Sequence, residues 1–192
     1  CTVSHFSPLA SSFENINVKN LYCFKRNQSQ LEGITLSGNF DGMSFQGIAI
    51  KFFTCDNKTS EIPCSSPEKI NSYLKGSTFI SYYTDFKFEP KTYKPPYVGN
   101  RNNVFSPLSF GIKRSFFLFV KPIEIISDVG WLFEDLKTDS WIAMDSTIIT
   151  DKTQVDQEFF NFYIRVANSK TTINRSYLKI FDVFAKAHGL IS

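Results

Sequence analysis

The sequence predicts a mainly β protein, and we expect a two-layer antiparallel β-sandwich of the lectin or jelly-roll kind. Three observations predict this class. Apolar and polar residues alternate with a period of two along several segments, turn-forming Pro, Gly and Asn residues separate those segments, and 21 phenylalanines supply a heavy aromatic interior. A chain of 192 residues with 42% hydrophobic content is long enough for one core, so we expect residues 1–192 to form a single domain.

The first predicted strands form a hairpin. Residues 34–37 lead to an Asp41-Gly42 dipeptide, which is a strong tight-turn signal, and residues 43–55 supply the second arm. In that arm Ile50 and Phe52 share one face with Ile48. The other face carries Phe45, Ala49, Lys51 and Phe53, so we expect both faces to be largely covered.

Three later segments repeat the alternation, at residues 79–88, 116–126 and 159–167. In the first, the pattern places Ile80 and Tyr82 on the buried face and Asp85 on the wet face. In the last, Phe160 and Phe162 alternate with polar residues and are expected to point inward. The remaining segment contains the most apolar short run of the chain, and we interpret it as a buried strand in preference to an adhesive surface patch. Residues 89–103 between them are rich in Pro and Asn and predict the longest loop.

Two segments have helical signals. Near residues 66–74, Ser66 is a suitable N-cap and Pro67 occupies the first helical position. At the end of the chain, apolar residues recur at three- and four-residue spacing and predict an amphipathic helix over about 176–188. We expect its apolar side to pack back on the sandwich, with a membrane or partner surface as the alternative.

The cysteines and glycan acceptors predict the compartment. Cys1, Cys23, Cys55 and Cys64 form an even set. Asn-x-Ser/Thr sequons begin at Asn27, Asn57 and Asn174. This combination is typical of a chain that folds in an oxidising, secretory compartment, so we expect an extracellular or cell-surface glycoprotein with disulfide bonds. Four cysteines allow three pairings, and the local one, Cys55 with Cys64 and Cys1 with Cys23, needs only short loops.

Parts of the sequence resemble a known family. The closing run contains Arg175, Tyr177, Lys179, Asp182 and Ala185 in the order Arg-x-Tyr-x-Lys-hydrophobic-x-Asp-hydrophobic-x-Ala. Residues 128–133 read Asp-x-Gly-hydrophobic-hydrophobic-Phe, and a spaced Cys pair follows a predicted strand. In these patches the chain resembles a poorly characterised family of large ciliate transmembrane proteins. The resemblance implies a membrane-proximal extracellular domain that reaches a membrane only through a parent-chain segment beyond Ser192, and it implies no catalytic residue.

Acidic residues gather beside both tryptophans of the chain. This candidate ligand surface consists of Asp128, Trp131, Glu134, Asp135, Asp139 and Trp141. Carboxylates next to aromatic side chains suit sugar binding, glycoside chemistry or calcium ligation. The alternative is that the acids form the polar face of turns while the tryptophans are buried in the core.

Other chemistries lack their usual residues. The two histidines, His5 and His188, lie in terminal segments that hold a catalytic group poorly, and no nucleophile elbow or phosphate-binding loop occurs. The cysteine spacing does not match a zinc site. A net charge of +3 without blocks of like charge argues against nucleic acid as a partner.

The sequence therefore predicts a non-catalytic recognition or structural module of a cell-surface or secreted assembly, without a cofactor or metal. We expect protein partners or self-assembly, with a glycan as a further ligand. The alternatives are a lectin-like carbohydrate-binding domain, a carbohydrate-active hydrolase that uses two of the acids above, and a small-ligand carrier with an apolar cavity.

Overall fold

The structure is a computed structural model, and it describes residues 21–23, 36–38, 43–58, 60–92 and 96–189. Several residues singled out from the sequence lie outside these ranges: Cys1, His5, Asn27 and the Asp41-Gly42 turn. The two arms that flank this turn are joined by an antiparallel bridge between Ser37 and Gln46, as the predicted hairpin requires. Their backbone N–H groups each donate to the other residue's carbonyl oxygen, at 3.1 and 2.8 Å.

The described chain contains seven strands and two helices. In chain order they are β1 (Ile48–Phe53), α1 (Pro67–Lys75), β2 (Thr78–Phe88), β3 (Tyr97–Pro107), β4 (Ile112–Asp128), β5 (Leu136–Thr153), β6 (Glu158–Val166), β7 (Thr171–Ser176) and α2 (Ile180–Gly189). The prediction of a mainly β protein is confirmed. Within the described ranges, neither helix has the length and apolar character that crossing a membrane requires.

The strands form two sheets. A five-stranded sheet has the order β1-β6-β4-β5, with β7 also paired to β4, and β2 and β3 form a two-stranded sheet. The larger sheet is mixed, because β1 pairs antiparallel with β6 whereas β6 and β7 both pair parallel with β4. The prediction of purely antiparallel strands is therefore wrong for this sheet. Alternation along one strand reports which face is buried and carries no information about the direction of its neighbour.

β6 and β7 follow one another along the same edge of β4. β6 matches β4 from Arg114 to Val120, and β7 matches it from Ile123 to Asp128. The last pair with β6 is Val120 and Val166, and the first pair with β7 is Ile123 and Thr171. Three positions along β4 thus correspond to five on the other side, so residues 167–170 interrupt the regular pairing.

The chain divides into two compact units. One unit contains Cys1–Asp85, Gly99–Val120 and Met144–Ala167, and the other contains Phe86–Val98, Lys121–Ala143 and Asn168–Ser192. We call them unit 1 and unit 2. Whether residues 1–192 fold as a single domain stays a prediction.

The main core lies in unit 1 and is aromatic. Its buried cluster consists of Val104, Phe116, Leu118, Phe160 and Phe162. The ring of Phe79, on β2, lies 4.5 Å from that of Phe160 and 5.3 Å from that of Phe162, centroid to centroid. The prediction that Phe160 and Phe162 point inward is confirmed, and so is the buried strand around Phe116.

The buried face of β2 differs from the prediction. Phe79 and Tyr83 pack against the core cluster, while Ile80 is 47% exposed. Asp85 lies on the same face as Phe79, where its carboxylate accepts hydrogen bonds from the Met144 backbone N–H and the Asn102 amide. Both faces of this strand carry large side chains, so alternation selected the wrong face at Ile80 and Asp85, whereas Phe86 on the predicted face packs against Tyr97 with 5.4 Å between ring centroids.

The first helix agrees with the prediction and the second is shorter. Ser66 caps α1 by accepting a hydrogen bond from the Lys69 N–H at 3.4 Å, and Pro67 occupies the first turn. α2 begins at Ile180, because residues 171–176 pair with β4 as a strand. The Asp182 carboxylate accepts a hydrogen bond from the Lys179 N–H at 3.0 Å and so marks the start of the helix.

Cys55 and Cys64 form a disulfide bond, as the local pairing predicts. Cys23 is also disulfide-bonded, and its predicted partner Cys1 lies outside the described residues. The segment predicted as a loop over residues 89–103 is a loop only in part, since β3 already begins at Tyr97.

Candidate recognition loop

A short, tightly built loop joins β4 to β5 in unit 2. We call residues 129–135 the Trp131 loop. Its backbone closes on itself through the Val129 N–H, which donates to the Asp135 carbonyl at 2.8 Å. A Cβ on Gly130 would lie 1.7 Å from the Phe133 carbonyl oxygen, so only glycine fits this position.

Asp128 holds the loop from its base. One carboxylate oxygen accepts hydrogen bonds from the Gly130 N–H at 3.1 Å and the Asp135 N–H at 3.0 Å. The other oxygen forms an ion pair with the Lys179 ammonium at 2.8 Å. The side chain is nearly buried, so these bonds replace the water that a free carboxylate would bind.

The interactions at the base of the loop favour the charged forms of Asp128 and Lys179. The Lys179 ammonium, followed by the Asp135 and Gly130 N–H groups, lowers the pKa of Asp128 against the opposing effect of burial. The Asp128 carboxylate in turn raises the pKa of Lys179. Asp128 is therefore a structural anion at neutral pH, and both of its carboxylate oxygens already have partners.

The loop exposes two large aromatic side chains. Trp131 is 69% exposed and Phe133 is 75% exposed. The Ile180 N–H donates to the Trp131 carbonyl at 3.0 Å, which attaches the start of α2 to the loop. From the helix and the residues just before it, Leu178, Phe181 and Phe184 are also largely exposed. The prediction that the apolar side of this helix packs back on the sandwich is therefore wrong for Phe181 and Phe184.

The remaining predicted ligand residues divide into two groups. Glu134 and Asp135 are exposed on the loop, and Asp135 lies 3.7 Å from the Lys137 ammonium. Asp139 is half-buried on β5. Trp141 is also half-buried, with its ring centroid 4.6 Å from that of Tyr97, and its buried indole N–H has no hydrogen-bond partner among the described residues. The structure thus brings Trp131, Glu134 and Asp135 to one loop and places Trp141 in a packed position.

Phe133 is the exposed residue that the sequence analysis missed. The available signal was its position: the apolar run Trp131-Leu132-Phe133 falls in a turn between two strands, where polar residues are usual. The prediction of a ligand surface was based on the acidic residues and therefore included Asp128, whose role is structural.

A second polar network supports the same unit. The Arg175 guanidinium donates to the Ser127 hydroxyl at 2.7 Å and to the Thr92 carbonyl at 2.9 Å. It also lies over the Tyr177 ring, 5.2 Å from its centroid. These contacts fix the residues on both sides of the Asp128–Lys179 pair.

Other carboxylates with defined partners also have structural roles. In unit 1, Glu158 pairs with Lys113 and Lys51, and Asp151 forms a two-pronged ion pair with Arg114, 2.7 and 2.6 Å between atoms. Their cationic partners lower the pKa of both acids. In the part of the chain that the structure describes, no group of three His, Cys, Asp or Glu side chains is arranged to hold a metal ion.

Two of the three sequon asparagines are described, and both are exposed. Asn57 lies inside the disulfide loop, and its side-chain oxygen accepts a hydrogen bond from the Cys64 N–H at 2.7 Å, an interaction that leaves out the amide nitrogen to which a glycan is attached. Asn174 lies on β7, opposite Ile126 of β4.

Comparison with known proteins gives a family. No curated protein and no solved structure shows significant similarity to the chain. One family model matches residues 1–167, which include the whole Trp131 loop and end before β7 and α2. Because this match covers most of the chain, the protein belongs to the family described as the uncharacterised 80 kDa protein N-terminal domain.

Proposed function

We propose that the protein is a non-catalytic recognition module that works outside the cell, and that the Trp131 loop with the adjoining start of α2 is its binding surface. The observation that carries the proposal is the contrast between a tightly fixed backbone and exposed aromatic side chains. A loop held by Asp128 and Gly130 loses little further entropy on binding, so the burial of Trp131 and Phe133 is available for affinity.

The chemistry of the surface favours a protein partner. Trp131 and Phe133 are joined by the largely exposed Leu178, Phe181 and Phe184. Large aromatic side chains beside aliphatic ones are typical of the energetic centre of protein interfaces. Glu134, Asp135 and Lys137 supply polar groups at the side of this surface.

The extracellular location rests on covalent chemistry. The Cys55–Cys64 disulfide and the two exposed sequon asparagines support an oxidising, secretory origin, in agreement with the resemblance to membrane-proximal extracellular domains. Peptide mapping of native protein under non-reducing conditions tests this directly. Free thiols at residues 55 and 64 together with unmodified Asn57 and Asn174 would contradict it.

We further propose that the two sheets of unit 1 are the layers of a sandwich, of the lectin or jelly-roll kind. The contacts of Phe79 on β2 with Phe160 and Phe162 on β6 support it, because they join one sheet to the other through the core. Nuclear Overhauser contacts between these rings are the expected observation, and their absence in folded protein would contradict the arrangement.

Site-specific photo-crosslinking tests the binding surface. A benzophenone side chain at Phe133 is expected to capture a defined protein from surface extracts of the source cell, and the same group at Tyr73, an equally exposed aromatic position on α1, is not. The additional change Trp131→Ala should reduce the yield at Phe133 by tenfold or more, in keeping with a hot-spot residue. Equal capture at positions 133 and 73 would refute the proposal.

A glycan is the second candidate ligand, favoured by the exposed Trp131 beside Glu134 and Asp135. Binding on a glycan array that is lost in Trp131→Ala and kept in Tyr73→Ala would establish a lectin in place of a protein-binding module. Release of free sugar from a bound glycan would instead indicate a hydrolase. The acids give that alternative little support, because a general acid needs a raised pKa and the pKa of Asp128 is lowered.

A further inference from the structure

β5 has an edge that no described strand covers. It is the longest strand of the described chain, and it stands at the end of the strand order of the mixed sheet. An uncovered edge presents a row of backbone N–H and C=O groups that pair readily with another strand.

The Met144 backbone N–H donates to the Asp85 carboxylate at 3.2 Å, and the second half of β5 follows this residue. From Asp145 to the end of the strand at Thr153 every residue is exposed. This open segment contains no proline, and its centre is Thr147-Ile148-Ile149-Thr150, four β-branched residues of high strand propensity. Ile148 is 50% exposed and Ile149 is 53% exposed, although they point to opposite faces.

We propose that a second copy of this chain pairs with the open segment, strand to strand and antiparallel, around a two-fold axis at Ile149. Only a β-strand can satisfy a row of backbone groups at this spacing, which restricts the class of occupant. The side-chain pattern then favours the segment itself as that strand.

Symmetry limits the registers to a few. In an antiparallel pair, two residues that face each other have their side chains on the same side of the sheet. Side chains of neighbouring residues along one strand point to opposite sides. A two-fold axis between two identical strands must therefore pass through a residue that faces its own copy. With Ile149 at the axis, Ile149 faces Ile149, Ile148 faces Thr150, Thr147 faces Asp151 and Ser146 faces Lys152. No like charges meet in this register, and no isoleucine faces a charge.

The neighbouring registers are worse. With Ile148 at the axis, Asp145 faces Asp151 on both sides of the axis. With Thr150 at the axis, Ile148 faces Lys152 and Ile149 faces Asp151. Like charges directly opposite one another destabilise a strand pair, and charged partners prevent the isoleucines from packing. The sequence of the open segment therefore selects the Ile149 register.

This inference goes beyond the proposed function, because it concerns a surface in unit 1 and a second copy of the chain as partner. Its test measures self-association, whereas the crosslinking test measures capture at Phe133. Either proposal can therefore fail while the other holds.

Two opposite charge variants test the register. Ile149→Lys and Ile149→Glu each place like charges face to face at the axis, so each should weaken the dimer at least tenfold in sedimentation velocity across a concentration series. An equimolar mixture places Lys opposite Glu and should restore the dimer. Val155→Lys, a charge change at an exposed residue just past the end of the strand, is the control and should leave association unchanged.

Wild-type protein supplies a second measurement that needs no variant. Within residues 145–152, the amide hydrogens that point away from β4 should exchange more slowly at high protein concentration than after dilution, while those of β7 should not change. A wild-type protein that is monomeric at millimolar concentration, or a folded Ile149→Lys variant that dimerises like the wild type, would overturn the proposal. So would a mixture of the two folded variants that stays monomeric.

Discussion

The two halves of β4 are held by different kinds of interaction. Up to Val120 the strand belongs to unit 1, where Phe116 and Leu118 are buried among phenylalanine rings. Beyond it the strand belongs to unit 2, where the nearly buried Ser127 and Asp128 bind Arg175 and Lys179. Apolar burial is large and non-directional, so it stabilises the sheet, whereas hydrogen bonds and ion pairs fix a particular backbone path. The first half builds an interior and the second positions a loop.

The largest effect is expected from the interior. Phe160→Ala leaves a cavity among the rings of Phe52, Phe79 and Phe162 and should lower the free energy of unfolding by about 3–5 kcal/mol. Urea denaturation measures this change. Ile80→Ala, at an exposed position of β2, is the matched control and should cost about 0.5 kcal/mol or less. Equal losses in the two variants would contradict the arrangement of the core.

A smaller loss is expected at the loop. Gly130→Ala forces a methyl group against the Phe133 carbonyl oxygen, so the loop must change its path at a cost of about 1–3 kcal/mol. Gly76→Ala, where a Cβ meets no atom within 4 Å, is the control. Tryptophan fluorescence in a Trp141→Phe background, where Trp131 is the remaining tryptophan, together with denaturation separates a local change from global unfolding. A Gly130→Ala protein with wild-type stability and emission would show that the loop is not tightly built.

The ion pair at the loop base predicts opposite losses at the two ends of the pH scale. The folded-state pKa of Asp128 is lowered, so its contribution is complete above the ordinary value of 3.8 and is lost as the pH falls through the lower folded value. The pKa of Lys179 is raised, so its contribution is complete below the ordinary 10.5 and is lost as the pH rises through the higher folded value.

Amide exchange at Gly130 and Asp135 is the measurement, after correction for the intrinsic pH dependence of exchange. Protection should be highest between these limits and should fall on both sides. Asp128→Asn should reduce protection at neutral pH and remove the acid-side change. If the Asp128→Asn protein still loses amide protection as the pH falls, another carboxylate causes that loss.

The smallest effect on stability is expected at the surface. Trp131→Ala and Phe133→Ala remove side chains that are largely exposed, so each should change the free energy of unfolding by less than about 0.5 kcal/mol. Thermal unfolding followed by circular dichroism checks this. A large loss would mean that these aromatic groups hold the loop together and are not presented for binding.

Local patterns predicted part of this structure well. The Ser66 cap, the inward face of β6 and the Cys55–Cys64 bond all depend on residues close together in the sequence, where spacing alone carries the information. The buried face at the start of β2 was predicted wrongly because Phe79 and Ile80 are both apolar, and only the packing against β6 distinguishes them.

Features that depend on contacts between residues far apart along the chain could not be predicted from local sequence patterns. The helical pattern begins at Ser176, yet this residue ends the strand that pairs with β4, and the helix begins only at Ile180. Asp128 was identified as a candidate ligand, and its role in the loop became clear only once Lys179 lay beside it. The candidate site was thus located correctly as a segment, while its exposed members and its structural members were distinguished only by the fold.

The pairing of β1 with β6 has a consequence for how the protein is made. Ile48 faces Ile164, so a strand synthesised early must wait for a partner synthesised near the end of the described chain. Until that partner leaves the ribosome, Ile50 and Phe52 have no sheet to join and remain open to wrong contacts. Nascent chains of this protein are therefore expected to depend on chaperones until β6 has left the ribosome.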